Sequence, residues 1–303
     1  MSREERYQEE LEQRIAKHGK KLRGVFNGSN ARIIGEINDL YARFAESGEE
    51  LVSLIYNASR LDIIMGTIRG VLRELGQEEE RELRQTWEKE YKQSIFHHLF
   101  FLEQDFQIGV TLPQINPGMI LSAIERPWEG RHFSKRIRMR TDLLAAAMED
   151  VITQAAVQGW GVTRTAKEIS MRTTESWSSA LRLARTELNR AAAQGQTAAY
   201  QANADIIGEK EFCATLDRRT SSQCRKLDGK RYPLDYDTSD NPGREGERIP
   251  NHPNCRSYWR PVIKSAVLDK LQRERSYRIG KQERGYTSAR NYEEWAKAKG
   301  IAS

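Results

Sequence analysis

The sequence predicts a mainly α-helical protein with a small α+β C-terminal domain: long N-terminal helices, a helical connector, then a two- to three-stranded antiparallel sheet. Three observations carry this expectation. The eight prolines are spread unevenly and the first is Pro113, so the long stretch before it lacks the residue that most disrupts helices. Apolar residues recur at three- and four-residue spacing through that stretch, and again between Phe133 and Asn203. From Glu211 onward, short runs punctuated by Gly, Pro, Asn and Asp replace the helical period.

The first stripe is Ile33, Ile34, Ile37, Leu40, Tyr41 and Phe44, with Ser29 or Asn30 placed to cap the helix start and Gly48 to end it. A second stripe passes through Leu51, Leu54, Ile55, Leu61, Ile64, Ile68 and Leu72. A third, richly charged helix is expected from about Gln77 to Phe106. His97 and His98 lie on it about 100° apart around the axis, so they read as ordinary helix residues rather than joint ligands of one ion.

Pro113, Pro117 and Pro127 break the pattern between Gln107 and Gly130, marking the end of a helical region, 1–123. Residues 124–263 form the second segment, with helices over 133–203 and a small α+β unit over 211–263. Its first helix opens at Phe133 with Ser134 as cap and Gly159 as stop. "GVTRTAKEIS" reads as a short helix capped by Thr163, and a long helix is expected from Ser176 to Asn203. "EFCATLD", "KRYPL" and "CRSYWRPVI" read as strands, and "RTSSQCRKLDG" as a short helix capped by Thr220 and ended by Gly229. A polar loop, "DYDTSDNPGREGERIPNHPN", precedes the last strand. Residues 264–303 make a basic tail in which Tyr277, Tyr286, Tyr292 and Trp295 are interleaved.

Hydrophobic residues at 38% and charged residues at 30% suit long, solvent-washed helices better than one thick globule. No stretch approaches the ~20 apolar residues of a membrane span, and the N-terminal residues lack the apolar core of a signal peptide. These points predict a protein made and assembled in a cytoplasm, with no membrane partner. Three cysteines are too few for a disulfide framework, which leaves free thiols or a metal site. A net charge of +6 permits contact with DNA without demanding it.

Cys213, Cys224, His252 and Cys255 have the donor chemistry for zinc, and His252-x-x-Cys255 is a workable half-site. The other half departs from a Cys-x2-4-Cys knuckle, because Ser221 stands three residues before Cys224. The alternative is that Cys224 packs as a small buried residue and His252 bonds a loop carbonyl. Cys224 with His252 could also form a nucleophile–base pair, although no acid lies at an informative spacing. Arg185 and Glu187 on the long helix, Asp217, Arg219 and Thr220 at the strand-to-helix corner, and Asp228 and Arg256 nearby suggest structural bracing by charge pairs. An anion pocket of Arg185, Arg219 and Arg256 is the functional alternative. The tail's basic and aromatic mix could grip phosphates and stack on bases, or remain solvated.

Five pieces in order, "RPWEGRHFSKRI", "VQGWGVTRTAKEIS", "LARTE", "TLDRRTSSQCRKLDGK" and "IPNHPNCRSYW", resemble the Mu F-like minor head proteins of tailed bacteriophages, the head-morphogenesis family. The resemblance covers roughly residues 124–263. It implies a structural virion protein near the portal vertex inside the capsid, acting in head assembly and in genome packaging or ejection. Portal protein and major capsid or scaffold protein are the implied partners, with several copies per virion and non-specific contact with packaged DNA. It implies no catalytic residue for the shared domain. The expected polar core joins Arg185, Glu187, Asp217, Arg219, Thr220, Cys224, Asp228, Gly229, His252, Cys255 and Arg256. Many relatives carry Cys-x-x-Cys at the corner, and Ser221 replaces its first cysteine here, so no cofactor is expected outright and zinc is kept as an alternative. The rival functions are a zinc-dependent nucleic-acid-binding module and a Cys/His hydrolase-type effector.

Overall fold

In the computed structural model, residues 3–53, 58–106, 109–234, 248–267 and 297 are described. The order is α1 (Arg3–Ser47), α2 (Ala58–Phe106), α3 (Pro117–Glu125), α4 (Phe133–Gln158), α5 (Val162–Gln201), β1 (Ile207–Cys213), α6 (Ser222–Leu227), β2 (Arg231–Pro233) and β3 (Tyr258–Ile263). The protein is mainly helical with a small three-stranded antiparallel sheet, as the sequence predicts. No described helix is long and apolar enough to cross a membrane.

The helices are longer than their caps suggest. The 45-residue α1 runs straight through Ser29 and Asn30. Its buried stripe continues across them from Tyr7, Leu11, Ile15, Leu22 and Phe26 to Ile33, and Ser29 is itself buried. The expected second and third helices are one 49-residue α2. Gly76 lies inside it, where an added Cβ would come within 3.3 Å of Thr141 Cγ2, so the glycine serves close packing rather than a break. The 40-residue α5 begins at Val162, one residue before Thr163, and runs through Ser176, whose hydroxyl is buried without a hydrogen-bond partner among the described residues. On either side of Ser176, Thr173, Thr174 and Ser178 donate to the carbonyls of Ile169, Ser170 and Thr174, at 3.0, 2.9 and 3.1 Å, so these hydroxyls are satisfied within the helix.

Local geometry also moves several element ends. His132, not Ser134, caps α4 by accepting from the Ser134 N–H at 3.2 Å, and Gly159 ends that helix at φ 64°. Ser221, not Thr220, caps α6. β1 begins at Ile207 and ends at Cys213, so only the first part of "EFCATLD" is strand. Leu54, Ile55, residues 235–247 of the polar loop and nearly all of the tail lie outside the described residues.

Contacts group the chain into two compact units, residues 1–14, 85–130 and 185–303 in one and 15–84 and 131–184 in the other. The core of the latter joins Phe26, Ile33, Ile37 and Leu40 of α1 to Ile68 and Leu72 of α2, Met148 and Ile152 of α4 and Ile169 of α5. Arg140 pairs with buried Glu79, and the Tyr41 hydroxyl donates to the Trp160 carbonyl at 2.7 Å.

The other unit holds the sheet, ordered β2–β1–β3. Phe212 on β1 stands opposite Trp259 on β3, and Trp259 meets both Phe212 and Tyr232 edge-on. Behind the sheet, Gly195 lets α5 approach α2. An added Cβ there would collide with the Tyr91 carbonyl and lie 2.9 Å from Ser94 Cβ. The Ser94 hydroxyl seals this contact by donating to the Ala192 carbonyl at 2.6 Å. Tyr7 packs on His97 and His98 with ring centroids 5.1 and 5.0 Å away, and its hydroxyl donates to Glu90, which Arg14 grips with two bonds of 2.8 Å.

Two outcomes are expected. Gly195→Ala, which would gain about 1 kcal/mol in an open helix, should instead lower stability by about 1–3 kcal/mol through overpacking, read by thermal or urea unfolding. Burial pushes His97 down to about 3 and His98 to about 4, so both are neutral in the folded protein. The unfolded chain takes up these protons below its ordinary value of 6.5. Stability should therefore fall as pH drops below that value, by up to about 1.4 kcal/mol per pH unit for each histidine. His97→Leu should flatten this decline relative to wild type in melts run from neutral to acid pH.

Candidate functional site

The site is assembled where the chain before β3 lies along α5. The sequence of α5 here, "TELNRAAAQGQTAAY", sets small residues around a few polar ones that occupy one helical face. Thr186, Asn189 and Gln196 are all buried. Thr186 Oγ1 accepts from the Asn254 N–H at 3.2 Å, and Asn189 Nδ2 donates to the carbonyls of Cys255 at 2.9 Å and Ser257 at 3.4 Å. Gln196 accepts the Trp259 N–H at 2.9 Å and donates back to the Trp259 carbonyl, as a neighbouring strand would. Arg190, beside them, donates to Glu187 at 2.7 Å and to the carbonyls of Ala123, Ile124 and Arg126 around the end of α3. Before the turn, the Ile249–Pro250 peptide is cis and the Pro250 carbonyl accepts from Trp128 Nε1 at 3.1 Å.

The corner after β1 is closed by hydroxyls and two carboxylates. Asp217 takes both guanidinium arms of Arg256 at 2.6 Å and also accepts from the Arg219 N–H at 2.8 Å. Arg256 holds the Asp217 carboxyl well below the usual range. Thr220 donates to the Thr215 carbonyl, and Thr215 Oγ1 donates to the Arg256 carbonyl at 2.8 Å. Asp228 accepts from the Ala214 N–H at 2.8 Å, and Gly229, at φ 79°, donates its N–H to the Phe212 carbonyl at 2.8 Å. These bonds fold α6 back onto β1.

Between α6 and the turn, Cys224, His252 and Cys255 bring their ligand atoms within 4.8 Å of one another. The two sulfurs are 3.8 Å apart and His252 Nε2 is 3.2 Å from Cys224 Sγ. His252 Nδ1 donates to the Pro253 carbonyl at 2.8 Å, which leaves Nε2 to offer its lone pair to the cluster. Ser221 Oγ accepts from the Cys224 N–H at 3.1 Å and stands 2.9 Å from the same Nε2. Cys255 shares its proton with Cys224, which draws the Cys224 thiol down and pushes buried Cys255 up. The recess over this cluster, bounded by Thr215, Arg219, Ser221, His252 and Asn254, measures about 20 Å3.

Residues 146–259, from within α4 to Trp259, match the family described as phage Mu protein F like protein. Over these residues the chain is similar to the Mu F-like family. It is 25% identical over 228 residues to the minor head protein GP7 of Bacillus phage SPP1, covering 74% of this chain and 73% of that one. It is 28% identical over 196 residues to an NAD(+)–arginine ADP-ribosyltransferase, EFV, of Enterococcus faecalis, covering 63% of this chain and 40% of that protein. The chain thus spans less than half the length of this second relative. No solved structure matches.

Within the matched residues the structure joins Asp217, Arg219, Thr220 and Arg256 in one network, Cys224, His252 and Cys255 in a second, and Asp228 and Gly229 at the α6 return. Glu187 pairs instead with Arg190, three residues on. Arg185 does not line the recess, and its Nε is buried without a hydrogen-bond partner among the described residues. The anion pocket of three arginines is therefore not formed: Asp217 engages Arg256 and Arg219 Nε, the latter at 3.8 Å. Cys213, on β1, stays outside the thiol cluster, and burial pushes its thiol up to about 12. Asn189, Arg190, Gln196 and Ser257 escape the sequence reading, although polar residues interrupting an alanine-rich, otherwise buried face are the signal that could find them.

Arg190 and Glu187 are nearly inaccessible. Arg190→Met should leave the Glu187 carboxylate and three carbonyls unanswered and cost about 3–5 kcal/mol. The double variant Arg190→Met with Glu187→Met should recover much of that loss in urea unfolding, because no charge is then stranded.

Proposed function

We propose that this protein is a structural minor head component that sits inside the capsid at the portal vertex. It contacts portal protein and the major capsid or scaffold protein, is present in several copies, and acts in head assembly and in packaging or ejecting the genome. The observation that carries this reading is the coincidence of the family match with the interlock itself. Residues 146–259 contain the docking face of α5, the whole of β1, α6 and β2, and the turn that leads into β3.

The size of the recess favours this over a Cys/His hydrolase. About 20 Å3 holds one water or ion, whereas sites for organic substrates usually enclose about 300–1,000 Å3. The Asp217 and Arg256 side chains beside it engage each other, as bracing requires. No activity is carried over from the ADP-ribosyltransferase, of which 40% is spanned. Contact with packaged DNA would be electrostatic and independent of base sequence, in keeping with a net charge of +6.

Crosslinking and mass spectrometry of purified particles should recover peptides of this chain, with crosslinks to the portal protein. Its absence from mature and immature particles alike would sink the proposal.

A further inference from the structure

We propose that Cys224, His252 and Cys255 hold one zinc-class divalent ion, with the Ser221 hydroxyl facing its fourth position. The geometry supports this independently of the protein's place in the virion. A tetrahedral ion with Zn–S bonds of about 2.3 Å sets its two sulfurs about 3.8 Å apart, and Cys224 and Cys255 are 3.8 Å apart. His252 Nε2 is 3.2 Å from Cys224 Sγ, close to the adjoining edge of the same tetrahedron.

The surrounding bonding is of the kind that orients a ligand toward a metal. The Pro253 carbonyl takes the Nδ1 proton and so fixes the tautomer in which Nε2 can coordinate. Both sulfurs are buried, and two thiolates with a neutral imidazole balance a doubly charged cation, so binding strands no charge. Sulfur and imidazole together select zinc-class ions over calcium or magnesium. The recess of about 20 Å3 admits one water or ion, not an organic ligand.

Ser221 sets the character of the fourth position. Its hydroxyl caps α6 through the Cys224 N–H and approaches the imidazole at 2.9 Å, where a thiolate in its place would complete a Cys-x-x-Cys knuckle. A neutral hydroxyl is a far weaker ligand than a thiolate, so three protein donors carry the ion and water can share the fourth position. The ion would tie α6 to the 252–255 turn and exchange more readily than one held by four side chains.

The test uses the full chain, reduced and stripped with a chelator under anaerobic conditions, then titrated with Zn2+ and separately with Co2+. One equivalent should bind, with a raised melting temperature for zinc and, for cobalt, sulfur-to-metal charge transfer and tetrahedral ligand-field bands. Cys213→Ser should bind as wild type does, while Cys224→Ser and Cys255→Ser should each lose the charge-transfer spectrum or its stoichiometry. Ser221→Cys should tighten zinc by roughly tenfold or more in chelator competition. Since the two ligand variants could fail to fold, the wild-type and Ser221→Cys titrations decide the matter. Failure of both to take up metal would overturn the site. So would cobalt uptake without sulfur charge transfer, equal damage by Cys213→Ser, or a Cys224–Cys255 disulfide forming in place of metal uptake.

Discussion

The constraint on which the α+β unit depends is the grip of one face of α5 on peptide groups of other segments. Gln196 occupies the N–H and C=O of Trp259 on the outer edge of β3, where a three-stranded sheet would otherwise leave a strand unpaired. Asn189 and Thr186 hold the backbone from Asn254 to Ser257. Seven residues beyond Gln196, Asn203 repeats the device on Thr111, accepting its N–H at 2.7 Å and donating to its carbonyl at 3.0 Å. Arg190 does the same for carbonyls at the end of α3, which have no partner within their own helix. A buried peptide group without a partner costs about 1–3 kcal/mol, so this face is where the fold of the unit is decided.

Chemistry at the cluster depends on that grip. Cys224 is positioned by α6, which Asp228 and Gly229 anchor to β1, whereas His252 and Cys255 are positioned by the turn that α5 holds. The two anchors are independent in sequence and meet at the sulfurs. The Asp217–Arg256 pair also links them, with better geometry than most surface pairs, but Asp217 is 39% exposed and the attraction is screened by water. The neutral, buried carboxamide bonds therefore contribute more to placing the cluster than the conspicuous ion pair does.

This ordering explains what the sequence discloses. Helical periodicity and the change of pattern at Glu211 reveal the fold class because burial enforces both. Helix limits are less legible. Ser29 and Ser176 resemble caps, yet α1 continues past a buried Ser29 and α5 past a buried Ser176. Asp217, Arg256, His252 and Cys255 stand out because charges and ligand types announce themselves. Asn189 and Gln196 do not, since a carboxamide on a helix reads as solvent-facing until its partner is known. Charge alone groups Arg185 and Glu187 with the corner, but a helix offers Glu187 a nearer partner one turn on, at Arg190.

Holding a strand by its backbone has a consequence for the side chains it carries. Because α5 engages the N–H and C=O groups of residues 254–259, none of the side chains there is needed for docking, and each is released to another task. Arg256 turns to Asp217, and Trp259 to Phe212 and Tyr232. Cys255 is freed in the same way to face Cys224 across 3.8 Å. The burden of specificity then falls on Thr186, Asn189 and Gln196, whose shape and donor pattern must match peptide groups at fixed spacing. The side chain of Cys255 is thus placed without itself docking the strand, because the bonds to α5 are made by other atoms.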